Sequence, residues 1–216
     1  MPERAIIFDF DGLIVDSEAT WFRAWHEAFA SHGHELKPET YTTCIGTLGL
    51  EPVDELRELT GLDLSRELLA IDERAWELTR ELPMLPGVAG LLEEIDEAGV
   101  PRAIASSSDR RWVEDLLEHL GIAQGWVHVA CADGDRERAK PDPALYLEAL
   151  DAIGMPTRDV LALEDSPNGI RAAKAAGLFC VAVPCTMTAS LDLSEADVEL
   201  PSLAGITLEA LLSLAQ

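Results

Sequence analysis

Short apolar runs alternate with helix-like patterns along most of this chain of 216 residues. The runs are near-continuous in apolar residues, which is typical of strands buried on both faces of a parallel sheet. The predicted strands are residues 5–8, 101–105, 126–131, 160–163 and 179–183. The predicted helices beyond residue 87 are 88–98, 110–120, 143–153, 168–176 and 208–214, with one further short element expected after residue 185. This alternation predicts an α/β fold with a doubly wound parallel sheet.

One stretch, from about residue 17 to residue 81, lacks strand-like runs and has helical periodicity throughout. Apolar aromatic residues recur there at four-residue spacing, and further helices are predicted at 53–60 and 65–80. The segment LPMLPG at 82–87 then interrupts the pattern as a linker does. We therefore predict a helical bundle, residues 17–82, inserted into a core formed by residues 1–16 and 83–216.

The charge balance is strongly acidic, because 16 Lys and Arg stand against 40 Asp and Glu and give a formal net charge of -24. A surface of this sign repels nucleic-acid backbones and anionic membranes, so neither is an expected partner. No apolar run is long enough to span a bilayer, and the N-terminal residues do not resemble an export signal. The four cysteines, at positions 44, 131, 180 and 185, show no CxxC pairing, which favours reduced thiols. We expect a cytoplasmic monomer.

Polar residues follow three of the predicted strands at the point where each strand ends, and a lysine precedes the helix that leads to the strand predicted at 160–163. In chain order they are Asp9, Asp11, Ser106, Ser107, Ser108, Lys140, Glu164 and Asp165. Taken singly, an acidic pair is also typical of a solvated loop, serines of a helix N-cap and a lysine of the surface. Because the carboxyl ends of parallel strands meet at one edge of a sheet, their coincidence favours a single site.

This combination of residue types has a specific chemical use. Closely spaced carboxylates repel each other, so they share a proton or hold a cation, and oxygen ligands alone favour a hard ion such as Mg²⁺. A lysine and a serine hydroxyl aimed at the same point suit a phosphoryl group, whose charge is spread over several oxygens. One carboxylate could attack phosphorus to form an acyl phosphate, while its neighbour two residues on transfers the leaving-group proton.

Four segments, FDFDGLIVDS, IASSS, the lysine of AKPDP and LEDSPNGIRAAKAAG, resemble the four motifs of the haloacid dehalogenase superfamily of phosphohydrolases. The resemblance runs over nearly the whole chain and implies a Rossmann-like core. The inserted helices are similar to the small helical cap of the branch that contains β-phosphoglucomutase and sugar-phosphate phosphatases. In that branch the cap is the lid that sets substrate specificity.

The resemblance also implies roles for individual residues. Asp9 would be the nucleophile that carries the phosphoryl group, and Asp11 the general acid and then the base for the hydrolytic water. Mg²⁺ would be bound by Asp9, the main-chain carbonyl of Asp11 and Asp165, with Glu164 in direct or water-mediated contact. The groups implied to hold the phosphoryl oxygens are Ser106, Lys140 and backbone N–H groups near Phe10 and Ser107.

The resemblance narrows the expected reaction. Asp11 implies phosphate chemistry, because the dehalogenases of the superfamily lack an acid at its place. Two departures from β-phosphoglucomutases favour a phosphatase: Trp21 stands where they have a histidine, and Asp109 where they have a lysine. We expect a Mg²⁺-dependent phosphatase acting on a small phosphorylated metabolite such as a sugar or polyol phosphate. The alternatives are a β-phosphoglucomutase-like sugar phosphomutase and a non-catalytic phosphate-binding regulator, which would have no use for the aspartate pair.

Residues of the helical insertion are open to two interpretations. Trp21 could cover the substrate, but its spacing with Trp25 and Phe29 is also typical of the core of a helical bundle. Arg74 and Arg80 could meet a second anionic group of the substrate or could lie on the surface.

Overall fold

One parallel sheet organises the protein, whose computed structural model describes residues 4–42, 45, 57, 58 and 60–215. The strands run in the order β3-β2-β1-β4-β5-β6 across the sheet, and every neighbouring pair is parallel. Their bounds are β1 (Ala5–Phe8), β2 (Arg102–Ser106), β3 (Trp126–Cys131), β4 (Val160–Glu164), β5 (Phe179–Ala182) and β6 (Val198–Glu199). The predicted doubly wound α/β fold is therefore confirmed.

Helices α1 to α4 lie between β1 and β2, and the remaining helices follow later strands. Their bounds are α1 (Ser17–Ser31), α2 (Pro38–Tyr41), α3 (Leu68–Thr79), α4 (Val88–Ala98), α5 (Arg110–His119), α6 (Ala144–Ile153), α7 (Pro167–Ala175) and α8 (Leu208–Ser213), with a 3-10 turn at Thr157–Asp159. Among the described residues, no helix combines the length and the apolar character that crossing a membrane requires.

The five predicted strands are all present, each within one residue of its predicted bounds. The predicted helix at 65–80 begins only at Leu68, because residues 65–67 form a turn in which the Asp63 carboxylate accepts the Ser65 N–H at 3.0 Å. The helix predicted at 53–60 lies mostly outside the described residues.

Alternation along β1 divides the core of the sheet into two layers. Ile6 and Phe8 belong to an apolar cluster with α4, α5 and α8, whereas Ala5 and Ile7 belong to a cluster with α6 and α7. Because β1 is buried on both faces, it is fixed at the centre of the sheet, and so is the position of the residue that follows it.

Helices α1 to α3 build a third apolar cluster. Trp25 and Phe29 of α1 pack there with Ile71 and Ala75 of α3. Two residues from the loop after β5, Cys185 and Met187, join the same cluster and connect it to the rest of the protein.

The cysteines that the structure describes are free and buried, at positions 131, 180 and 185. Burial raises the pKa of the Cys131 thiol to about 12. These side chains therefore act as small apolar core residues, while Cys44 lies outside the described residues.

Candidate active site

The candidate residues lie where β1 and its two neighbours end. Phe8, the last residue of β1, is paired with Ile104 of β2 on one side and Leu163 of β4 on the other. This is the point from which the strand order runs in both directions, the position where doubly wound sheets bind ligands. Asp9 and Ser106 are thereby brought to one edge of the sheet, as predicted.

A cavity of about 850 Å³ opens at this edge, with walls from the strand ends and from helices α1 and α3. The predicted site residues that line it are Asp9, Asp11, Trp21, Ser106, Ser107, Lys140 and Asp165. Glu164 does not line it and is fully buried. The strand ends therefore bring the predicted residues together around one cavity, with Glu164 beneath its surface.

Lys140 connects two of the acidic residues. Its Nζ donates hydrogen bonds to Asp9 Oδ1 and, at 2.6 Å, to Glu164 Oε1, and it lies 5.3 Å from the centre of the Tyr146 ring. Burial alone would lower the pKa of Lys140, but the charges of Asp9 and Glu164 raise it above its usual value. The two acidic partners therefore favour a positive charge on Lys140 where it lines the cavity.

Glu164 has both carboxylate oxygens occupied by donors. Oε1 accepts from Lys140 and, at 2.7 Å, from the Tyr146 hydroxyl, while Oε2 accepts the backbone N–H groups of Asp165 and Ser166 at 3.1 and 3.3 Å. A carboxylate with its acceptor sites filled in this way fixes its partners in place. Its clearest structural effect is to hold Lys140 next to Asp9.

Three carboxylates form the cluster that could hold a metal ion: Asp9, Glu164 and Asp165, with one oxygen of each within 4.8 Å of the others. Burial, together with the charge of Glu164, raises the pKa of Asp9 to about 8. Burial and the charges of Asp9 and Glu164 raise the pKa of Asp165 well above its usual value. Burial is the largest cause of both shifts, and the neighbouring negative charges, which one lysine does not balance, add to it.

Gly12 allows the backbone to approach Asp165 closely. Its φ is +79°, and a Cβ built there would lie 2.1 Å from Asp165 Oδ2. Only glycine fits this combination of a left-handed backbone and a carboxylate in contact with it.

Asp11 is held by three side-chain donors. Its Oδ1 accepts from Ser17 Oγ at 2.6 Å and from Trp112 Nε1 at 2.8 Å, and its Oδ2 accepts from Ser108 Oγ at 2.6 Å. The Asp11 side chain is not part of the cluster of three carboxylates. Its oxygens therefore contact hydroxyl and indole donors, which distinguishes its surroundings from those of Asp9.

The serines at the end of β2 do not cap the following helix, so that interpretation was wrong. Asp109 precedes α5, and its side chain makes no capping bond. Instead, Ser106 Oγ accepts the Ser108 N–H at 3.0 Å and Ser107 Oγ accepts the Lys140 N–H at 3.2 Å. Ser106 and Ser107 thus order the loops around the cavity. At the end of β4, by contrast, the Ser166 side chain does cap α7, because it accepts the Gly169 N–H.

The two interpretations of the aromatic spacing in α1 apply to different residues. Trp25 and Phe29 are buried in the cluster of the three helices, whereas Trp21 is half-buried and lines the cavity. Trp21 also lies against Trp112, with ring centres 5.5 Å apart. Trp25 reaches the cavity wall as well, and its Nε1 is buried without a partner among the described residues.

Neither arginine singled out in the sequence lines the cavity. Arg74 is paired with Glu27 and Glu77, at 2.8 and 3.1 Å. Arg80 lies over the ring of Trp76, 4.8 Å from its centre. In this structure both side chains serve the packing of the helices, and neither is placed to meet a substrate group.

Three residues of the site were missed in the sequence, namely Ser17, Trp112 and Tyr146, whereas Ser108 was among the expected residues but its bond to Asp11 was not. Trp112 and Tyr146 occupy apolar positions of amphipathic helices, so the pattern indicates core residues. The available signal is chemical, because a buried indole or phenol usually needs a polar partner.

The family model described as "Haloacid dehalogenase-like hydrolase" matches residues 6–183. The chain belongs to this family. The resemblance drawn from the four motifs is therefore confirmed, and the match includes the inserted helices as well as the sheet up to the end of β5.

Relatives from several bacteria are similar over nearly the whole chain. The "Putative phosphatase YhcW" of Bacillus subtilis (strain 168) is 38% identical over 212 residues, which cover 97% of this chain and 96% of that protein. The "Validoxylamine A 7'-phosphate phosphatase" of Streptomyces hygroscopicus subsp. limoneus is 31% identical over 204 residues, or 93% of this chain and 94% of that protein.

A solved structure is also similar to this protein over nearly the whole chain. It is a CbbY mutant from Rhodobacter sphaeroides in complex with xylulose-(1,5)bisphosphate, with a TM-score of 0.78 at 30% identity over 98% of this chain and 99% of that chain. Together with the family membership and the phosphatase relatives, this makes the protein an enzyme of the phosphoric monoester hydrolase class.

Proposed function

We propose that the protein is a Mg²⁺-dependent phosphatase that hydrolyses a small phosphorylated metabolite, such as a sugar or polyol phosphate, with Asp9 as nucleophile. The observation that carries the proposal is the placement of Asp9. Its carboxylate lies at the cavity edge, bonded by Lys140, with a second aspartate two residues away lining the same cavity. Free, buried thiols support a cytoplasmic location.

Two proton transfers by Asp11 accompany the reaction at phosphorus. Asp9 attacks phosphorus while the bond to the leaving oxygen breaks, and Asp11 donates a proton to that oxygen. Asp11 then takes a proton from the water that attacks the aspartyl phosphate, so inorganic phosphate leaves and the Asp9 carboxylate is restored. Lys140 and Ser106 would hold the phosphoryl oxygens and stabilise their charge.

The donor set fits a divalent cation. Oxygen-only ligands suit Mg²⁺, and a cation would offset both the burial and the mutual repulsion that raise the pKa of Asp9 and Asp165. We propose that Asp9, Asp165 and the main-chain carbonyl of Asp11 hold it, and that Glu164, whose acceptor sites are filled, supports them through Lys140 and the Asp165 N–H. When bound, the ion would neutralise and orient the phosphoryl group.

We further propose that residues 17–82 act as a cap on a core of residues 1–16 and 83–216. Helices α1 and α3 share an apolar cluster, which two residues of the loop after β5 join, and supply one wall of the cavity. A cap in this position would exclude water from the reacting groups and select the leaving group.

The charge of the cavity wall favours a substrate with a single phosphate. From α1 and α3 the wall receives three acidic residues, Glu18, Asp72 and Glu73, and no basic residue among those described. Besides Lys140, the lining bases are Arg111 of α5 and Arg136 of the loop after β3. A second phosphate near the cap would meet like charge, so a neutral or cationic leaving group fits better, even though one relative binds a bisphosphate.

Phosphate release from a panel of sugar, polyol and nucleotide monophosphates and a sugar bisphosphate tests the proposal. We expect turnover of monoesters with Mg²⁺, loss of turnover in EDTA, and a kcat/KM for the bisphosphate about tenfold or more below that of the matching monophosphate. Turnover that resists EDTA would contradict the metal, and a preferred bisphosphate would contradict the substrate class. Conversion of a hexose 1-phosphate to the 6-phosphate with a bisphosphate activator would instead favour the mutase.

The raised carboxylate pKa predicts a pH dependence of metal binding. Between its usual pKa of 3.8 and about 8, folded Asp9 keeps a proton that the unfolded chain has lost, so this group destabilises the metal-free fold increasingly as pH rises through that window. Because a metal competes with this proton, the melting-temperature difference between Mg²⁺ and EDTA samples should grow from about pH 6 to about pH 8.5. The Asp165→Asn variant, with one ligand lost, should show a smaller difference at both pH values. An unchanged difference across the range would count against a metal at these carboxylates.

A further inference from the structure

Trp112 bonds the Asp11 carboxylate and also contacts α1 and α3, two of the inserted helices that line the cavity. It lies on α5, and its Nε1 donates to Asp11 Oδ1 at 2.8 Å. Its ring is 5.5 Å from Trp21 on α1 and 4.5 Å, edge to face, from Trp76 on α3. One side chain therefore connects a proposed proton-transfer group to the helices above it.

The two oxygens of Asp11 have different kinds of partner. Oδ1 accepts from Ser17 and from Trp112, and an indole N–H can donate but never accept. Oδ2 is bonded by Ser108 Oγ, and a hydroxyl can either donate or accept. A proton on Oδ1 would meet the fixed indole donor, whereas a proton on Oδ2 needs only a rotation of the Ser108 hydroxyl.

We infer that Trp112 is the positioning residue of this active site: it holds Asp11 by Oδ1, so that Oδ2 is the oxygen that exchanges a proton with the leaving group and with water. The contacts of Trp21 and Trp76 with the same indole make this placement depend on the packing between α5 and the inserted helices. The inference rests on the proposed function, because it assigns the atom through which Asp11 acts.

A purely structural role for Trp112 makes a different prediction. The residue is 7% exposed and belongs to the cluster of α4, α5 and α8, so changing it will also affect packing. Loss of packing alone would slow all substrates alike. Loss of acid positioning slows only those esters whose leaving oxygen must be protonated.

Trp112→Phe separates these roles, because it keeps an aromatic ring and removes the N–H. The values to compare are kcat/KM for the alkyl phosphate hydrolysed fastest in the panel above and kcat/KM for p-nitrophenyl phosphate. The parameter kcat/KM reports on the steps up to the release of the leaving group. An alkoxide needs a proton to leave, whereas p-nitrophenolate leaves without one. We expect a loss of about tenfold or more for the alkyl ester and about twofold or less for p-nitrophenyl phosphate, since general acid catalysis typically contributes about a hundredfold or more.

Trp126→Phe is the matched control. Trp126 also donates an indole hydrogen bond, to the Ile122 carbonyl at 2.7 Å, and it does not line the cavity. Trp126→Phe should lower the melting temperature without changing the ratio of the kcat/KM values for the two esters. An equal loss on both substrates in Trp112→Phe would overturn the inference, as would no loss on either.

A double-mutant cycle with Asp11→Ala tests whether Trp112 acts through Asp11. In the Asp11→Ala background, Trp112→Phe should cost about twofold or less in kcat/KM for either ester. A further tenfold loss there would overturn the inference. If wild-type protein hydrolyses neither ester, the proposed function fails instead, so the two failures are distinct.

Two measurements keep the inference testable if Trp112→Phe does not fold. Trp76→Leu removes one of the two rings that contact Trp112. It should reproduce the selective loss of kcat/KM for the alkyl ester. An equal loss for both esters would contradict the inference that the placement of Asp11 depends on α3. The second measurement compares NMR spectra of the wild type and of Asp11→Ala. Between the two, the assigned Trp112 indole N–H resonance should shift more than the other indole signals. Absence of that shift would contradict the hydrogen bond itself.

Discussion

Asp9→Asn is expected to reduce turnover by about four orders of magnitude or more, since removing a nucleophile costs on this order in other covalent mechanisms. The amide keeps the shape of the carboxylate but is a poor nucleophile. Binding should survive, so calorimetry is expected to show the variant retaining affinity for a phosphate ester that it does not hydrolyse. The measurement is steady-state phosphate release with Mg²⁺ present.

Asp142→Asn is the control for this change. Its carboxylate accepts the Ala144 N–H at 2.9 Å, and the residue is exposed and does not line the cavity. It should keep a rate within about twofold of the wild type, as an exposed substitution usually does. A near-native rate in Asp9→Asn would exclude Asp9 as the nucleophile.

Lys140→Met is expected to lower both activity and stability. The substitution leaves Asp9 and Glu164 without their shared ammonium group in a buried environment, which costs about 3 kcal/mol or more of unfolding free energy when one partner of a buried pair is removed. Turnover should fall by about a hundredfold or more, because the phosphoryl oxygens lose a fixed positive charge. Denaturant unfolding and phosphate release measure the two effects.

Lys174→Met makes the same chemical change in a surface ion pair. Lys174 Nζ bonds Asp197 Oδ1 at 2.6 Å, with both side chains about a third exposed. Such pairs contribute about 1 kcal/mol or less, and this one is remote from the cavity. If both lysine variants lose equal stability and neither loses activity, Lys140 does not have the proposed role of pairing with Asp9 and Glu164 and binding the phosphoryl group.

Much of the sheet and the convergence of its polar residues could be predicted from the sequence. Strands buried on both faces give near-continuous apolar runs, and the end of such a run marks the edge where a ligand binds. Asp9, Ser106 and Asp165 follow directly from this rule. Lys140 precedes the helix that leads to β4, so this rule does not place it directly, although a lysine suits the same phosphate-binding site.

The contacts that orient these residues could not be predicted. Asp11 and Trp112 are separated by 101 positions, and the helical pattern around Trp112 indicates only a buried face. Glu164 shows the same difficulty, since an acidic residue at a strand end can point into a cavity or back into the protein. Here the Tyr146 hydroxyl and Lys140 hold it inside, and both partners come from a different segment of the chain.

The close approach at Gly12 has a consequence for sequence variation. Even the smallest side chain at position 12 would displace Asp165 or reshape the loop after β1. A library of substitutions at this position would therefore report on the geometry of the carboxylates rather than on side-chain chemistry. The lack of a side chain at position 12 is therefore as necessary for the carboxylate geometry as the aspartates themselves.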